Sequence, residues 1–387
     1  MIPERLKKNY FKAMSIKSFK GLDFSGSSPK SVFVSESNYP NLKVGIVSLP
    51  EVTEDALIYD FPEQWLNFTS EEVLHLRKQL INSMTSLTAT QAVDPSNKLM
   101  ELQEIVTAKK QADVDINLKD LSFFKDSSKR INTPLMNYAL MNSFDFISNP
   151  GIDLKVDKVI SDTDLKSVSG IESLYSSGQE VSSIYKILSL GLLGLEKNRK
   201  LVPTKWSITA TDDTISKLLI EKIKDNPLVG EHLFFESHYF DNHFYILLIP
   251  KIFSFEMLES WNLNAKTNAV VAVDFETFKG RTNYASNITG AYYSARLGAA
   301  EYLSSIKRQA SVIIIREIGS SYTTPLGVWQ IRENVRNAMK QEPKKFDSLS
   351  ALLSHLKQKL KLPFNYYEKK SSLFGDFLHQ KTLKDWF

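Results

Sequence analysis

The chain has 387 residues, 42% apolar and 24% charged, with a mean hydropathy of −0.22, enough for one large domain or two ordinary ones. It has no cysteine, which excludes disulfides, thiolate zinc sites and a cysteine nucleophile. No apolar run approaches the roughly 18 residues of a membrane span, and MIPERLKKNY lacks a signal-peptide core, so a cytoplasmic protein with no membrane partner is expected. The net charge is +4, and it is local. Seven lysines against three carboxylates in residues 351–387 account for the whole excess. Bulk charge therefore does not drive nucleic-acid binding, and any such contact needs local basic patches.

Residues 1–60 read as loop-rich. Ser25-Gly26-Ser27-Ser28-Pro29 reads as a surface turn before a short strand Ser31–Val34, the alternative being backbone N–H groups turned toward an anion. Ser70 through Met84 has the period of an amphipathic helix, with Ser70 as cap and Glu71 and Glu72 in its first turn. Asn97 to Lys109 is a second helix, and residues 112–150 carry little pattern. Val156 to Ser161 suggests a strand and Ser182 to Leu195 a helix. Next come a short strand from Trp206 to Ala210 and a helix from Asp212 to Lys224, capped by Thr211 or Asp212.

Leu233–Phe240 and Phe244–Ile249 read as a hairpin around Asp241-Asn242. Ala269–Phe275 and Ser311–Ile318 are strands suited to burial. Asn287 or Thr289 caps a helix that runs to about Arg308. Pro325 fits the first turn of a helix to Met339, and the last helix, Ser348–Leu360, stops at Pro363. Residues 364–379 show no clear period and read as a tether to the final stretch. Helices and strands intermix without a βαβ rhythm. The expected fold is mixed α/β or α+β, as one large body or two subdomains with a flexible C-terminal tail.

The chain ends QKTLKDWF. Gln380, Leu383 and Trp386 recur every three residues and Phe387 follows, so a 3₁₀ turn would place Leu, Trp and Phe on one face. This pattern closely resembles the PCNA-interacting peptide, which docks on the DNA sliding clamp. Burial of those three side chains would contribute about 1.5–3 kcal/mol each. Ordering the tail takes back about 2–5 kcal/mol, so micromolar affinity is expected of the isolated peptide.

Six further blocks occur in order before that tail. They are FSGSSPKSVFV (24–34), SDTDLKS (161–167), RKLVPTKWSITATDD (199–213), GRTNYASNITGAYYSARL (280–297), KRQASVIIIRE (307–317) and PLGVWQIRENVR (325–336). Together they resemble archaeal Nre proteins of the NreA type over nearly the whole chain. The resemblance implies archaeal DNA repair in concert with PCNA. It also implies a division into an N-terminal region (1–262), a C-terminal region (263–363), the tether (364–379) and the clamp peptide (380–387). Many members carry a cysteine-based zinc segment near the N-terminus. None carries over here, and residues 1–22 are a metal-free substitute or a shortened arm.

Candidate chemistry falls into three groups. Arg199, Lys200, Lys205 and Trp206 combine phosphate-binding charge with a stacking surface. Arg281 and Tyr284 lead into a helix N-terminus, and Arg296 lies one and a half turns further on. These residues are the expected DNA contacts. Among carboxylates, Asp162, Asp164, Asp274 and Glu276 are the weak catalytic candidates, supporting an alternative as a Mg²⁺-dependent hydrolase of DNA or a nucleotide adduct. Val270–Thr277 resembles the first motif of DEDD-type exonucleases, but the later aspartates that fold requires do not follow. His238 and His243, five residues apart, are expected to face opposite ways, so no metal site and no cofactor is assigned. The expected function is a repair factor recruited by the clamp, with DNA held by the body.

Overall fold

A computed structural model of the chain describes residues 21–120, 136–261, 270–322 and 326–379. It separates into two compact units, Met1–Thr214 and Ile215–Phe387. The division implied by the resemblance, after residue 262, lies between two neighbouring strands of the second unit's sheet. Among the described residues each unit is built on one six-stranded mixed sheet, an α+β arrangement. No described helix is long and apolar enough to cross a membrane.

In the first unit, β1 (Asp23–Ser28), β2 (Ser31–Val34), β3 (Asn41–Ser48), β4 (Ile81–Thr88), β5 (Ala112–Asp120) and β6 (Asn137–Phe146) take the order β1-β5-β6-β4-β3-β2. Pairing is antiparallel except between β4 and β6. The FSGSSPKS stretch supplies both edges of this sheet, with Pro29 and Lys30 (φ 55°) joining β1 to β2. Ser27 N–H donates to the Glu51 carbonyl (3.0 Å), and the Ser27 carbonyl accepts from Leu49 N–H (2.9 Å). Edge strand β1 thus also bonds to the residues that follow β3. A Cβ at Gly26 would stand 1.8 Å from the Leu49 carbonyl oxygen, so glycine is what allows the strands to approach. The stretch is a strand crossing, not the surface turn expected from composition.

The helices of this unit are α1 (Ser70–Gln79), α2 (Asn97–Thr107), α3 (Leu154–Ile160), α4 (Ser167–Ser176) and α5 (Val181–Ser189), and α6 (Thr204–Ile223) runs across the division. Thr69, rather than Ser70, caps α1 in a reciprocal box with Glu72. Two expected strands are helical. Asp153 accepts from Lys155 N–H at 2.9 Å and starts α3 where Val156–Ser161 had read as β. Pro203 starts α6, its carbonyl accepting from Trp206 and Ser207 N–H, so Trp206–Ala210 is helical and Asp212 lies buried mid-helix instead of capping it.

In the second unit, β7 (His232–Tyr239), β8 (Asn242–Ile249), β9 (Ser254–Trp261), β10 (Val270–Glu276), β11 (Ser311–Ile318) and β12 (Lys344–Phe346) take the order β10-β9-β11-β8-β7-β12. The central β11 is buried along its whole length, as its continuous Val-Ile-Ile-Ile run requires. One face of the sheet packs under α7 (Gly290–Ser305) and α8 (Trp329–Met339) through Tyr292, Leu303 and Val335. Gly298 keeps these two helices close, because a Cβ there would meet Val335 Cγ1 at 2.8 Å. The other face is covered by α9 (Leu349–Lys359), α10 (Phe364–Glu368) and α11 (Ser372–His379). Residues 364–379 are therefore not a tether. Phe364, Tyr367, Leu373 and Phe374 are buried, and burial of that many large side chains, at about 1.5–3 kcal/mol each, outweighs the lack of a regular period.

Candidate functional site

Trp206 is 46% exposed at the start of α6, and Tyr39, also 46% exposed, lies against it with ring centroids 5.4 Å apart. Lys205 and Lys200 are exposed and close to Trp206 in sequence. Lys205 makes one solvent-exposed pair, 3.2 Å from Glu36 Oε1, of the kind that contributes about 0–1 kcal/mol and exchanges readily. Two exposed aromatic rings with lysines near one of them in sequence can stack bases and hold phosphates. Tyr39 was not legible as a member, because the β2–β3 connection brings it to Trp206 across more than 160 residues.

Arg199 does not join this surface. Its Nε donates to the Gly194 carbonyl (3.0 Å) and its Nη2 to the Ile160 carbonyl (2.8 Å), so it ties the C-terminus of α3 to the loop before α6. Burial lowers its pKa, against the pull of Glu196. It is a positioning residue for the backbone.

The second expected patch is internal for the most part. Arg296 is 1% exposed and donates to Glu276 Oε2 (2.7 Å) and Ser216 Oγ (3.1 Å). Arg281 donates to Asp274 Oδ1 (3.1 Å) and to the carbonyls of Asn283 and Tyr284. Both guanidinium groups lie over the Tyr292 ring, at 5.0 and 5.6 Å. Tyr284 is exposed and stacks on Tyr293. Asp274 Oδ2 also accepts from Asn287 and Ile288 N–H, at 2.9 and 2.8 Å, fixing the loop that enters α7.

The four acid candidates follow from this. Asp274 and Glu276 face the same side of β10, as their i, i+2 spacing requires, and each is engaged by an arginine. Asp162 and Asp164 belong to the first unit, where Asp162 Oδ1 accepts from Asp164 N–H in a turn between α3 and α4. These contacts give structural work to the carboxylates of Asp274, Glu276 and Asp162.

A buried polar cluster in the first unit had no sequence signal. Asp60, 8% exposed, pairs with Arg77, accepts from Ser31 Oγ and lies 3.1 Å from Lys186 Nζ. Lys186 also donates to the Asp60 carbonyl (2.9 Å) and sits over the Phe61 ring at 4.7 Å. Burial holds its ammonium down to about 7; Glu63 opposes this and Arg77 adds to it. Burial likewise brings Arg77 down to about 10 and lowers Lys30.

His238 and His243 correct another expectation. They are directly paired across the β7–β8 hairpin with rings stacked 4.1 Å apart, because a two-residue turn resets the strand parity. The clamp-like residues Gln380, Leu383, Trp386 and Phe387 lie outside the described residues.

Comparison with known proteins places the chain. Residues 4–267 match the family description Archaeal Nre, N-terminal, and residues 276–386 match Archaeal Nre, C-terminal. A protein named DNA repair protein NreB from Archaeoglobus fulgidus is 37% identical over 360 residues, 91% of this chain and 89% of that one. Two proteins named DNA repair protein NreA are each 34% identical over 330 residues. The one from Archaeoglobus fulgidus aligns over 84% of this chain and 83% of its own length, and the one from Haloferax volcanii over 82% and 78%. No solved structure matches. The chain belongs to the archaeal Nre family.

Proposed function

We propose that this protein is a DNA-repair factor that the PCNA sliding clamp recruits through QKTLKDWF and that holds DNA single strands on its first unit. Relatives named for DNA repair support the setting. The clamp contact is carried by the sequence of the last eight residues, in which Leu383, Trp386 and Phe387 form the apolar plug and Gln380 the polar contact. The DNA contact rests on the exposed Trp206–Tyr39 pair with Lys205 and Lys200 close to Trp206 in sequence. Two open aromatic rings favour unpaired bases over duplex, because stacked base pairs do not present their faces.

Fluorescence anisotropy with labelled single-stranded and duplex DNA tests this directly. Single strands bind more tightly, and Trp206→Ala costs about 1–3 kcal/mol of that affinity. With two lysines on phosphates, log K falls against log[salt] with a slope of about −1.4 for single strands. Equal affinity of the wild type and Trp206→Ala for single strands would remove the body's part in the proposal. The clamp part has its own test, the tail deletion. The hydrolase reading gains no support from the geometry, since Asp274 and Glu276 are each held by an arginine.

A further inference from the structure

We infer that the β7–β8 hairpin tip is a binding site for one divalent transition-metal ion of the zinc class, held by His238, Asp241 and His243. The ligand atoms of these three side chains lie within 4.8 Å of one another. The backbone makes that convergence. Phe240 and Asp241 take φ of 51° and 53°, the two positive values a type I′ turn needs. Such a turn sets His238 directly opposite His243 and leaves Asp241 between them at the tip. Phe240 is a bulky residue in a region that favours glycine and asparagine, and its ring is held against Tyr239 (3.6 Å) and edge-on to Trp329 (6.2 Å).

The carboxylate is oriented before any ion arrives. Asp241 Oδ2 accepts from Ser321 N–H (2.9 Å) and from Ser321 Oγ, and the Asp241 carbonyl accepts from Gly319 N–H (2.8 Å). A Cβ at Gly319 would stand 2.0 Å from that carboxylate, so only glycine leaves it room. With Oδ2 occupied, Oδ1 is the atom turned to the histidines, 3.8 Å from His243 Nε2. Hydrogen bonds that fix one oxygen and aim the other are the support a metal-binding carboxylate needs. Among the described residues neither imidazole makes a hydrogen bond.

Bond lengths of about 2.0–2.2 Å to nitrogen and oxygen call for small side-chain rotations toward a common centre and no backbone change. Two imidazoles and one carboxylate suit zinc and its neighbours rather than magnesium or calcium. Three protein ligands leave a coordination position for water or for a ligand atom. Lys361 Nζ, 3.9 Å from Asp241 Oδ1, is the competing cation, and it is exposed enough to swing away.

The test is equilibrium dialysis of the full chain, first stripped with a chelator, against Zn²⁺, with Co²⁺ absorption reporting coordination. One equivalent should bind. His238→Ala and His243→Ala should each weaken binding by about 100-fold or more, and Ser321→Ala, which only positions Asp241, by about tenfold. Lys361→Met should tighten it, and His75→Ala, in the first unit, should leave it unchanged. His238→Gln, with thermal melting beside it, separates loss of a ligand from loss of fold. The absence of saturable Zn²⁺ binding by the folded wild type would overturn the inference. Retention of the full equivalent by a folded His238→Ala/His243→Ala double variant would do the same.

Discussion

In the second unit Glu276 meets Arg296 at 2.7 Å and Glu259 meets Arg316 at 2.6 Å, one guanidinium to one carboxylate. In the first unit Asp60 is shared by Arg77, Lys186 and Ser31, and the ammonium is the most deeply buried of the charged partners. The side chain that carries the positive charge separates the two cases. Arginine stays protonated when buried and matches a carboxylate with a planar fork. Lysine gives up its proton when burial costs more than its partners return, and Lys186 has come down to about 7. The buried carboxylates of β9 and β10 at Glu259 and Glu276 are thus held by arginines, whereas the first unit's cluster relies on a lysine whose charge burial makes sensitive to pH.

The largest effect should come from breaking a fixed pair. Arg296→Met leaves Glu276 buried without its partner and should lose about 3–5 kcal/mol in denaturant unfolding. The double variant Arg296→Met/Glu276→Leu should recover most of that loss. A single-variant loss below about 1 kcal/mol would mean that the pair is not the scaffold its burial indicates.

The Lys186 cluster of the first unit should answer to pH. Between about 7 and the ordinary lysine value of 10.5, Lys186 is neutral in the folded protein while the unfolded chain still holds the proton. The unfolded state then binds more protons, so the Lys186 contribution to stability rises with pH through that window and is lowest below it. Comparing the melting temperatures of wild type and Lys186→Met from pH 7 to 10 isolates this contribution. The wild type should gain on the variant as pH rises; parallel curves would place the lysine's pKa back at its ordinary value.

The smallest effects divide the first basic patch in two. Arg199→Ala should lose about 1.5–3 kcal/mol of stability, since two carbonyls lose a charged donor, and should leave DNA affinity unchanged. Lys205→Ala should do the reverse, with stability within about 0.5 kcal/mol of wild type and a salt slope shallower by about 0.7.

Much of the second unit could be read from the sequence, because its elements are locally marked. Ser311–Ile318 has its strand in one apolar run, the hairpin its turn at Asp241, and α9 its Ser348 cap, which accepts from Ala351 N–H at 3.2 Å. What failed was set by distance along the chain or by competing local preference. Ile208 and Thr209 in Trp206–Ala210 favour strand, yet Pro203 and the packing of Ile215 and Ile220 make α6 helical from its start. Asp60 and Lys186 are 126 residues apart, beyond any periodicity. Arg296 looks exposed from its position in a helix until β10 brings Glu276 beneath it. At 238 and 243, counting along an unbroken strand missed the pairing that a two-residue turn creates.

The clamp contact is the claim on which the account most depends, and α11, which packs on the sheet through Leu373 and Phe374, precedes the eight residues that carry it. Deleting 380–387 and titrating the truncated and full chains with the sliding clamp by calorimetry tests it. The full chain should bind with micromolar affinity or better. The truncated chain should show no binding and a melting temperature within about 2 °C of the full chain. Retained clamp binding, or a melting temperature several degrees lower, would contradict the account.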